Sequence, residues 1–332
     1  MPSSRMRIYQ VSNKINLKSK VFVISPFPFK KFSKKRILEF FINLFLLLKI
    51  KKNDIIYLHK TVFQWDFIFL ILFLDFFKKY KIIFDFDDPV FLYCPKKTKI
   101  LTRKANAVIV GSHYLLEYSL KNNKNSFLVP TSVDYGMYSK SIKPAENEHN
   151  VTIGWIGTQS NLENLLVIKN VFLNLKFNFE LLILTAPNVG KKIYEILPKE
   201  KIKIKYIFDI DWTNEQNIVN NILKIDIGIM PLFDSLENRG KCAFKAIQYM
   251  SCGIPTICSS VGENNYLIKN GINGFLAEDV KGWIKALELL IENENLRKKI
   301  GEAGKKTIEE KYSLKVNIPL IENIIKSIFY NS

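Results

Sequence analysis

The chain of 332 residues, 48% of them hydrophobic, is long for a single core and suits two globular domains. Its four cysteines (Cys94, Cys242, Cys252 and Cys258) have no paired or regular spacing, so neither a disulfide framework nor a zinc site is indicated. Most of the net charge of +18 comes from the first half, where residues 1–150 contain 26 Lys/Arg and 11 Asp/Glu, against 23 and 20 in the rest. Such a basic half attracts phosphorylated substrates or an anionic membrane, and without an RNA-binding or zinc-finger signature no nucleic acid partner is expected.

The first half of the chain alternates short β-rich runs with longer helical patterns. Strands are expected at 20–25, 54–59, 81–86, 107–110 and 126–130. Helices are expected at 33–50, 62–79, 95–104 and 113–122. Strands that alternate with helices are typical of βαβ units, so this pattern predicts a mostly parallel sheet.

Two of these helical patterns are unusually apolar. Residues 30–52, KKFSKKRILEFFINLFLLLKIKK, are too short and too interrupted, by Glu39 and Asn43, to span a bilayer. They fit a basic helix that lies in the interface of a membrane, and equally an ordinary helix that packs on a sheet with its lysines in solvent. Residues 62–77, VFQWDFIFLILFLDFF, predict a crossover helix that is wholly buried.

The motif FDFDDPV places Asp85, Asp87 and Asp88 at the end of an expected strand. Taken alone, it suggests a DxD metal site or a phosphatase-type nucleophile pair. The sequence context that either class needs is absent, so no metal site is predicted. Asp88 before Pro89 is also a plausible helix cap.

The chain has only three histidines. His59 ends a strand and is either a contact for an acceptor or a sugar, or a packed strand-end residue. His113 opens the helix after a later strand, and His149 lies in a polar linker. No Ser-His-Asp or Cys-His arrangement is predicted from them.

A polar segment at 139–150, SKSIKPAENEHN, predicts a linker, after which the alternation restarts. Strands are expected at 151–157, 181–186, 202–207, 226–232 and 255–260. Helices are expected at 279–292, 294–311 and 316–330. Two doubly wound, Rossmann-like α/β halves in one chain predict a cleft at the carboxyl ends of two parallel sheets.

The turn after the first strand of the second half is a candidate phosphate loop. Gly157 and Thr158 follow that strand. Ser160 or Asn161 is expected to cap the next helix, with Glu163 in its first turn. A simple tight turn is the alternative interpretation.

The stretch from Asp226 to Glu278 is the most informative part of the chain. It predicts a buried strand, a loop that contains Arg239 and Lys241, and a helix that contains Lys245. The free backbone N–H groups and the positive end of the macrodipole make such a helix start an anion site. Three cations around it suit a diphosphate, whereas ordinary solvated lysines are the alternative.

This stretch resembles the donor-binding segment of GT-B glycosyltransferases, most closely the large retaining family 4. The similarity covers residues 151–313 well and the first half loosely. Family members usually carry two glutamates separated by seven residues, and the matching positions here hold Gly240 and Gln248. The segment RGKCAFKAIQYMSCG is similar to a branch that keeps Gly-Lys and Phe-Lys before Gln-Tyr-Met. Family members also have a strand before the element matched by residues 3–5, so either the start lies upstream or the first domain is abbreviated.

The resemblance implies a role for each candidate residue. The groups implied to bind the donor diphosphate are Gly157, Thr158, Arg239, Lys241 and Lys245. Those implied to bind the donor ribose or sugar are Gln248, Gly262 and Asn264. The implied catalytic residues are His59 and Glu263. The implied acceptor-side residues are Asp87, Asp88 and His113.

The resemblance implies an enzyme with an acceptor-binding domain (1–145), a nucleotide-sugar-binding domain (150–315) and a C-terminal helix (316–332) that packs back on the first domain. The expected reaction transfers a hexose-type sugar to a glycan or lipid-linked acceptor with retention, without cofactor or metal, in cell-surface polysaccharide synthesis. The basic first half favours a cytoplasmic protein at the inner face of an anionic membrane. A catalytically inactive GT-B subunit that binds nucleotide or a partner enzyme, favoured by the missing glutamates, and a GT-B sugar-nucleotide epimerase are the alternatives.

Overall fold

The computed structural model describes residues 5–17, 34–52, 54–60, 65–140, 150–186, 193, 196, 197 and 202–330. The described chain forms two compact units. Of the described residues, unit 1 contains those from 5 to 131 and from 317 to 330, and unit 2 contains those from 132 to 316. The expected strand at 20–25 lies outside the described residues.

Unit 1 is built on a four-stranded parallel sheet in the order β1-β2-β3-β4. The strands are β1 (Ile55–His59), β2 (Lys81–Phe86), β3 (Ala107–Val110) and β4 (Ser126–Leu128). Its helices are α1 (Gln10–Lys14, after a π-helical turn at Arg5–Tyr9), α2 (Lys34–Leu48), α3 (Trp65–Lys78), α4 (Val90–Tyr93), α5 (Pro95–Lys104) and α6 (His113–Leu120). The parallel arrangement agrees with the predicted βαβ pattern.

One expectation about the burial of helix α3 is wrong. It was expected to be wholly buried, but only one side of it, which carries Phe67, Ile68, Ile71 and Leu74, packs into the core of unit 1. A helix that lies on one face of a sheet buries the side toward the strands, and a second layer is needed to bury the other. The outer side of α3 carries aromatic residues that are exposed.

Unit 2 contains a six-stranded parallel sheet in the order β10-β9-β8-β5-β6-β7. The strands are β5 (Thr152–Ile156), β6 (Glu180–Leu184), β7 (Lys203–Ile207), β8 (Ile227–Met230), β9 (Thr256–Ser259) and β10 (Phe275–Ala277). From β5 the chain moves outward to β7, and from β8 it moves outward in the opposite direction. The strand order therefore reverses between β5 and β8, and ligands of doubly wound sheets bind at the carboxyl ends of strands at such a point.

The helices of unit 2 follow the predicted alternation with local differences. They are α7 (Tyr135–Lys140), a 3-10 helix (Gln159–Ile168), α8 (Lys169–Asn174), α9 (Glu215–Ile222), α10 (Leu236–Arg239), α11 (Phe244–Ser251), α12 (Asn264–Leu267), α13 (Val280–Glu292) and α14 (Glu294–Lys311). Helix α15 (Leu314–Tyr330) begins in unit 2 and continues into unit 1, where Glu322 accepts a hydrogen bond from the backbone of Asn16 at 2.7 Å. No helix in the described part of the chain is both long enough and apolar enough to cross a membrane.

The helix after Gly157 also differs from its prediction. It is a 3-10 helix whose N-cap is Thr158, without a side-chain capping bond, rather than a helix capped by Ser160 or Asn161. Those polar side chains bond to one another instead: Thr158 Oγ1 lies 3.0 Å from Ser160 Oγ and accepts from Asn161 Nδ2 at 3.1 Å. The Oδ1 atom of the Asn161 side chain takes no part in these bonds and accepts a hydrogen bond from Lys241 instead.

Candidate functional site

The carboxyl end of β5 meets the start of α11 at a partly buried lysine. Lys245, the second residue of α11, places its ammonium group 4.4 Å from the centroid of the Trp155 indole ring. A Cβ atom added to Gly157 would lie 2.5 Å from that indole ring and 3.0 Å from Lys245 Nζ. Only glycine lets the backbone pass this close to the lysine, which explains the residue type at the turn.

The electrostatics of this position favour an anion. Burial and, to a lesser extent, the positive charge of Lys241 together lower the pKa of Lys245 to about 7. A bound anion would act in the opposite direction and stabilise the ammonium form. The N-terminal end of the α11 macrodipole adds positive potential at the same place.

Lys241 is held close to Lys245 by neutral side chains. Its Nζ donates to the Oδ1 atoms of Asn161, at 2.7 Å, and Asn238, at 2.6 Å. Asn238 is fixed in turn, because its Nδ2 donates to Asn164 at 2.8 Å and to the carbonyl of Phe233 at 2.9 Å. The structure thus brings Lys241, Lys245 and the loop after β5 together, and amide oxygens position the first of them.

Arg239, in the segment before α11, is paired with a carboxylate. It ends α10, upstream of the break before α11, and its guanidinium forms a bidentate pair with Asp234, with Nε 2.5 Å from Oδ1 and Nη2 2.6 Å from Oδ2. Both side chains are about half exposed. This pair lowers the pKa of the Asp234 carboxyl.

The loop after β9 passes directly against the backbone of Arg239. Gly262 has φ +55°, and a Cβ there would lie 2.5 Å from the Arg239 carbonyl oxygen, so both its conformation and its space demand glycine. The next two residues are buried. Asn264 Nδ2 donates to the carbonyl of Ser259 at 2.9 Å, and Glu263 is the N-cap of α12 without a side-chain capping bond.

Gln248, at the position of the second missing family glutamate, is buried on α11. Its Nε2 donates to the hydroxyl of Tyr138 at 3.3 Å. Burial raises the pKa of Tyr138 well above its usual value, so this phenol stays protonated.

In unit 1, a buried polar network lies at the carboxyl ends of β1 and β2. Asp85 accepts from Arg7 Nε at 2.7 Å and Nη2 at 2.8 Å, and from the hydroxyl of Tyr57 at 2.6 Å. His59 Nδ1 lies 2.8 Å from the same carboxylate. Burial alone would raise the pKa of Asp85, but the Arg7 charge and the hydrogen bond of His59 outweigh it and hold that pKa well below its usual value.

A second ion cluster adjoins this network. Lys60, which has the left-handed φ of +52°, lies between Asp87, 2.5 Å from Nζ, and Asp88. Burial opposes the charged forms, yet these contacts raise the pKa of Lys60 and lower that of Asp87. Asp88 therefore pairs with Lys60 and does not cap α4, whose N-cap is Pro89 without a side-chain bond.

The remaining acceptor-side candidate, His113, is the first residue of α6, which Ser112 caps. Within the described ranges, no group of three or more His, Cys, Asp or Glu is placed to hold a metal ion. Sequence reasoning missed Arg7, Tyr57 and Lys60. The alternation of Tyr57 and His59 along β1 was a signal for two of the contacts to Asp85, because residues two apart in a strand share a face.

The part of the chain that holds the lysine pair matches a known glycosyltransferase family model. Residues 198–307 match the family model described as Glycosyl transferases group 1. An uncharacterized glycosyltransferase of Methanocaldococcus jannaschii is 26% identical over 226 residues, which is 62% of this chain and 56% of the length of that relative. The group 1 segment contains α10, α11 and the loop after β9, so the lysine pair lies inside the matched part. The match and the relative support a glycosyltransferase.

Solved structures share the fold. Sucrose-phosphate synthase from Thermosynechococcus elongatus aligns with a TM-score of 0.69 and 13% identity over 93% of this chain and 83% of its own. A glycosyltransferase from Rickettsia africae gives a TM-score of 0.67 and 16% identity, over 91% and 84%. Anabaena HepE in complex with UDP-glucose gives 0.64 and 13%, over 82% and 79%. The two parallel sheets and these neighbours establish the GT-B fold, as expected from the sequence.

Proposed function

We propose that this protein is a retaining glycosyltransferase that moves a hexose-type sugar from a nucleoside diphosphate to a glycan or lipid-linked acceptor. The observation that carries the proposal is the position of Lys241 and Lys245 beside Gly157 at the switch point of unit 2. The departing diphosphate gains negative charge in the transition state, and ammonium groups already in place stabilise it without reorganisation. A buried lysine has the most to gain from such an anion, because burial otherwise disfavours its charge.

The other donor contacts complete this assignment. Thr158 adds its hydroxyl to the diphosphate site, and Arg239 joins it by exchanging Asp234 for a phosphate oxygen. Gln248 takes the ribose hydroxyls in place of the glutamate that the resemblance leads one to expect. Gly262 and Asn264, in the loop that touches the Arg239 backbone, contact the sugar.

Each unit carries its own candidate residues in this proposal. In unit 2, Glu263 contacts the reacting sugar. In unit 1, His59 acts in catalysis. Asp87, Asp88 and His113 orient the acceptor. The reaction needs no metal or cofactor, and it belongs to cell-surface polysaccharide synthesis at the cytoplasmic face of an anionic membrane.

A catalytically inactive GT-B subunit is the second candidate, and one observation favours it. The two family acids are replaced by Gly240 and Gln248, and the amide nitrogen of the latter is already engaged with Tyr138. Such a subunit would bind nucleotide and present it, or itself, to a partner enzyme.

A thermal-shift panel with UDP-, GDP-, ADP- and CMP-sugars tests donor binding, because a ligand of the folded state raises the midpoint by mass action. HepE, a structural neighbour, binds UDP-glucose, which makes UDP-sugars the first to test. Released nucleotide is then measured with and without a membrane-extracted acceptor fraction. Release that needs the acceptor supports the transferase, conversion of the donor to an epimeric nucleotide sugar without acceptor supports an epimerase, and binding without any turnover supports the inactive subunit.

A further inference from the structure

Helix α3 carries a row of exposed aromatic side chains on its outer side. Trp65, Phe69, Phe73, Phe76 and Phe77 are between 39% and 77% exposed, and they recur at helical spacing opposite the buried side. Trp65 stacks on Phe69 at 5.6 Å, and Phe77 contacts both Phe73 and Phe76 at about 5 Å between ring centroids. The row is about 18 Å long, at ~1.5 Å of rise per helical residue.

The neighbouring helix α2 carries a second apolar row. Its exposed members, each between 48% and 61% exposed, are Leu38, Phe41, Ile42, Phe45 and Leu48. Leu47 of the same helix belongs to the hydrophobic core that also contains Ile71 of α3. Lys78 Nζ at the end of α3 donates to the carbonyl of Leu48 and, at 2.8 Å, to that of Ile50, so the two helices end side by side.

The two rows together, which we call the α2–α3 face, are large for a surface that remains in water. The face comprises the ten side chains named above. At ~200 Å² for a large side chain and about half exposure, it presents on the order of 1,000 Å² of apolar surface. The largest apolar patch of a typical monomer is about 300–600 Å², and larger patches mark interaction sites.

Cations surround this face. Lys49 Nζ lies 4.1 Å from the ring centroid of Phe45, and Lys97 Nζ lies 5.1 Å from that of Trp65. Exposed lysines follow both helices, namely Lys51 and Lys52 after α2 and Lys79 after α3. Helix α5, which packs beside α3, has the sequence PKKTKILTRK, with five basic residues and no acidic one.

We propose that the α2–α3 face docks on the surface of an anionic lipid bilayer, with its aromatic rows among the acyl chains and the lysines at the headgroups. Apolar burial and the attraction of lysines to anionic lipid reinforce each other in this arrangement. A second copy of this chain fits the face poorly, because it would bring two sets of the same cations together. The inference deepens the proposed membrane association and adds α3 to it, but it does not depend on the glycosyl transfer.

The test is vesicle co-sedimentation of the full chain without nucleotide. Vesicles of phosphatidylcholine alone are compared with vesicles that contain about a third phosphatidylglycerol. We expect binding to the anionic vesicles that weakens as salt is raised, and a blue shift of the fluorescence that Trp65→Phe removes. The double variant Phe73→Ser/Phe77→Ser should lower the partition coefficient about tenfold or more, because the lost apolar burial is that large.

A matched control changes two exposed apolar residues of unit 2, Ile272→Ser and Leu289→Ser, and should bind vesicles as the unchanged protein does. Donor binding in the thermal-shift panel should be the same in both double variants, which separates failure of this inference from failure of the proposed function. Equal vesicle binding by both double variants would overturn the inference. So would a dimer in sedimentation analysis that Phe73→Ser/Phe77→Ser converts to a monomer, or a lower melting temperature of that variant, which would mean that the face is covered.

Discussion

The ammonium group of Lys245 lies over the indole ring of Trp155, 4.4 Å from its centroid, at the point where β5 gives way to Gly157. The negative face of the indole offsets part of the cost of burying a cation without neutralising it. The lysine is therefore fixed beside the strand-order reversal, where a bound anion would stabilise its charged form. A carboxylate in the place of the indole would compete with any incoming phosphate.

The pH dependence of stability should reveal this lysine. In the unfolded chain a lysine holds its proton up to about pH 10.5, whereas burial lowers the pKa of Lys245 to about 7. Between these values the unfolded state binds more protons, so the free energy of unfolding rises with pH, and this contribution is absent below pH 7. From pH 7 upward, the free energy of unfolding should rise by at most about 1 kcal/mol per pH unit relative to that of the Lys245→Met variant. Urea titrations of both proteins at several pH values measure this difference. Parallel pH profiles of the two proteins would contradict the assignment.

Diphosphate binding should take up a proton above pH 7. If a bound diphosphate restores the ordinary pKa of Lys245, the complex holds a proton that the free protein has released. Calorimetry of UDP binding at pH 8, in buffers of different ionisation enthalpy, should show an uptake approaching one proton. At pH 6 the uptake attributable to Lys245 should vanish, because the lysine is protonated in both states.

Lys241→Ala should weaken every nucleoside diphosphate donor alike. The change removes a cation that Asn161 and Asn238 hold in place, and a hydrogen bond to a charged group is worth about 1.5–3 kcal/mol. Kd should rise at least about tenfold for UDP and GDP donors, whatever the sugar. Lys203→Ala, at an exposed lysine of the same unit, is the control and should leave Kd unchanged. Loss restricted to one base would argue against a diphosphate contact.

Gly157→Ala should damage both stability and donor binding. The new methyl group would lie 2.5 Å from Trp155 and 3.0 Å from Lys245 Nζ, so the indole and the ammonium must move. Overpacking of this kind costs about 1–3 kcal/mol, visible in thermal melting. Gly136→Ala is the matched control, because its Cβ meets only Asp134 at 3.6 Å and it lies in α7. The control should keep or raise the melting temperature.

Asp85→Asn should destabilise the protein far more than Asp234→Asn, although each removes the carboxylate of a bidentate arginine pair. The first leaves the buried Arg7 cation without its counter-charge, which costs about 3–5 kcal/mol in unfolding free energy. The second breaks an exposed pair with Arg239, and surface pairs contribute little. Equal melting temperatures for the two variants would refute the buried network.

The loss of stability at low pH should depend on the carboxylate of Asp85. Asp85 has a folded-state pKa below its unfolded value of 3.8, so its contribution to stability is present above that pH and is lost as the pH falls further. Acid titration of the unchanged protein should therefore show a steeper loss of stability below pH 4 than titration of Asp85→Asn.

Local patterns were sufficient for most of the architecture. The helix at 95–104 and the strands at 81–86 and 107–110 have the predicted bounds, because proline at a first helical position and runs of β-branched residues are local signals. The turn at Gly157 and the proximity of Lys241 to Lys245 could also be predicted from the sequence, since both features follow strands that the alternation identifies.

Contacts between residues far apart in the sequence could not be predicted. Arg7 and Asp85 are 78 positions apart, and no periodicity relates them. Helix α3 was misjudged because a helix that is apolar all round gives no sign of which side is covered.

The sequence by itself determined that the chain forms two α/β units with parallel sheets, and where glycines and lysines gather after their strands, because these features arise from local periodicity and backbone chemistry. Only the tertiary structure decided that Lys245 lies over the Trp155 ring and that one side of α3 meets solvent. It also decided the contacts of Asp85 with Arg7, Tyr57 and His59. Burial and long-range pairing are properties of packed layers, and they exist only after the elements have come together.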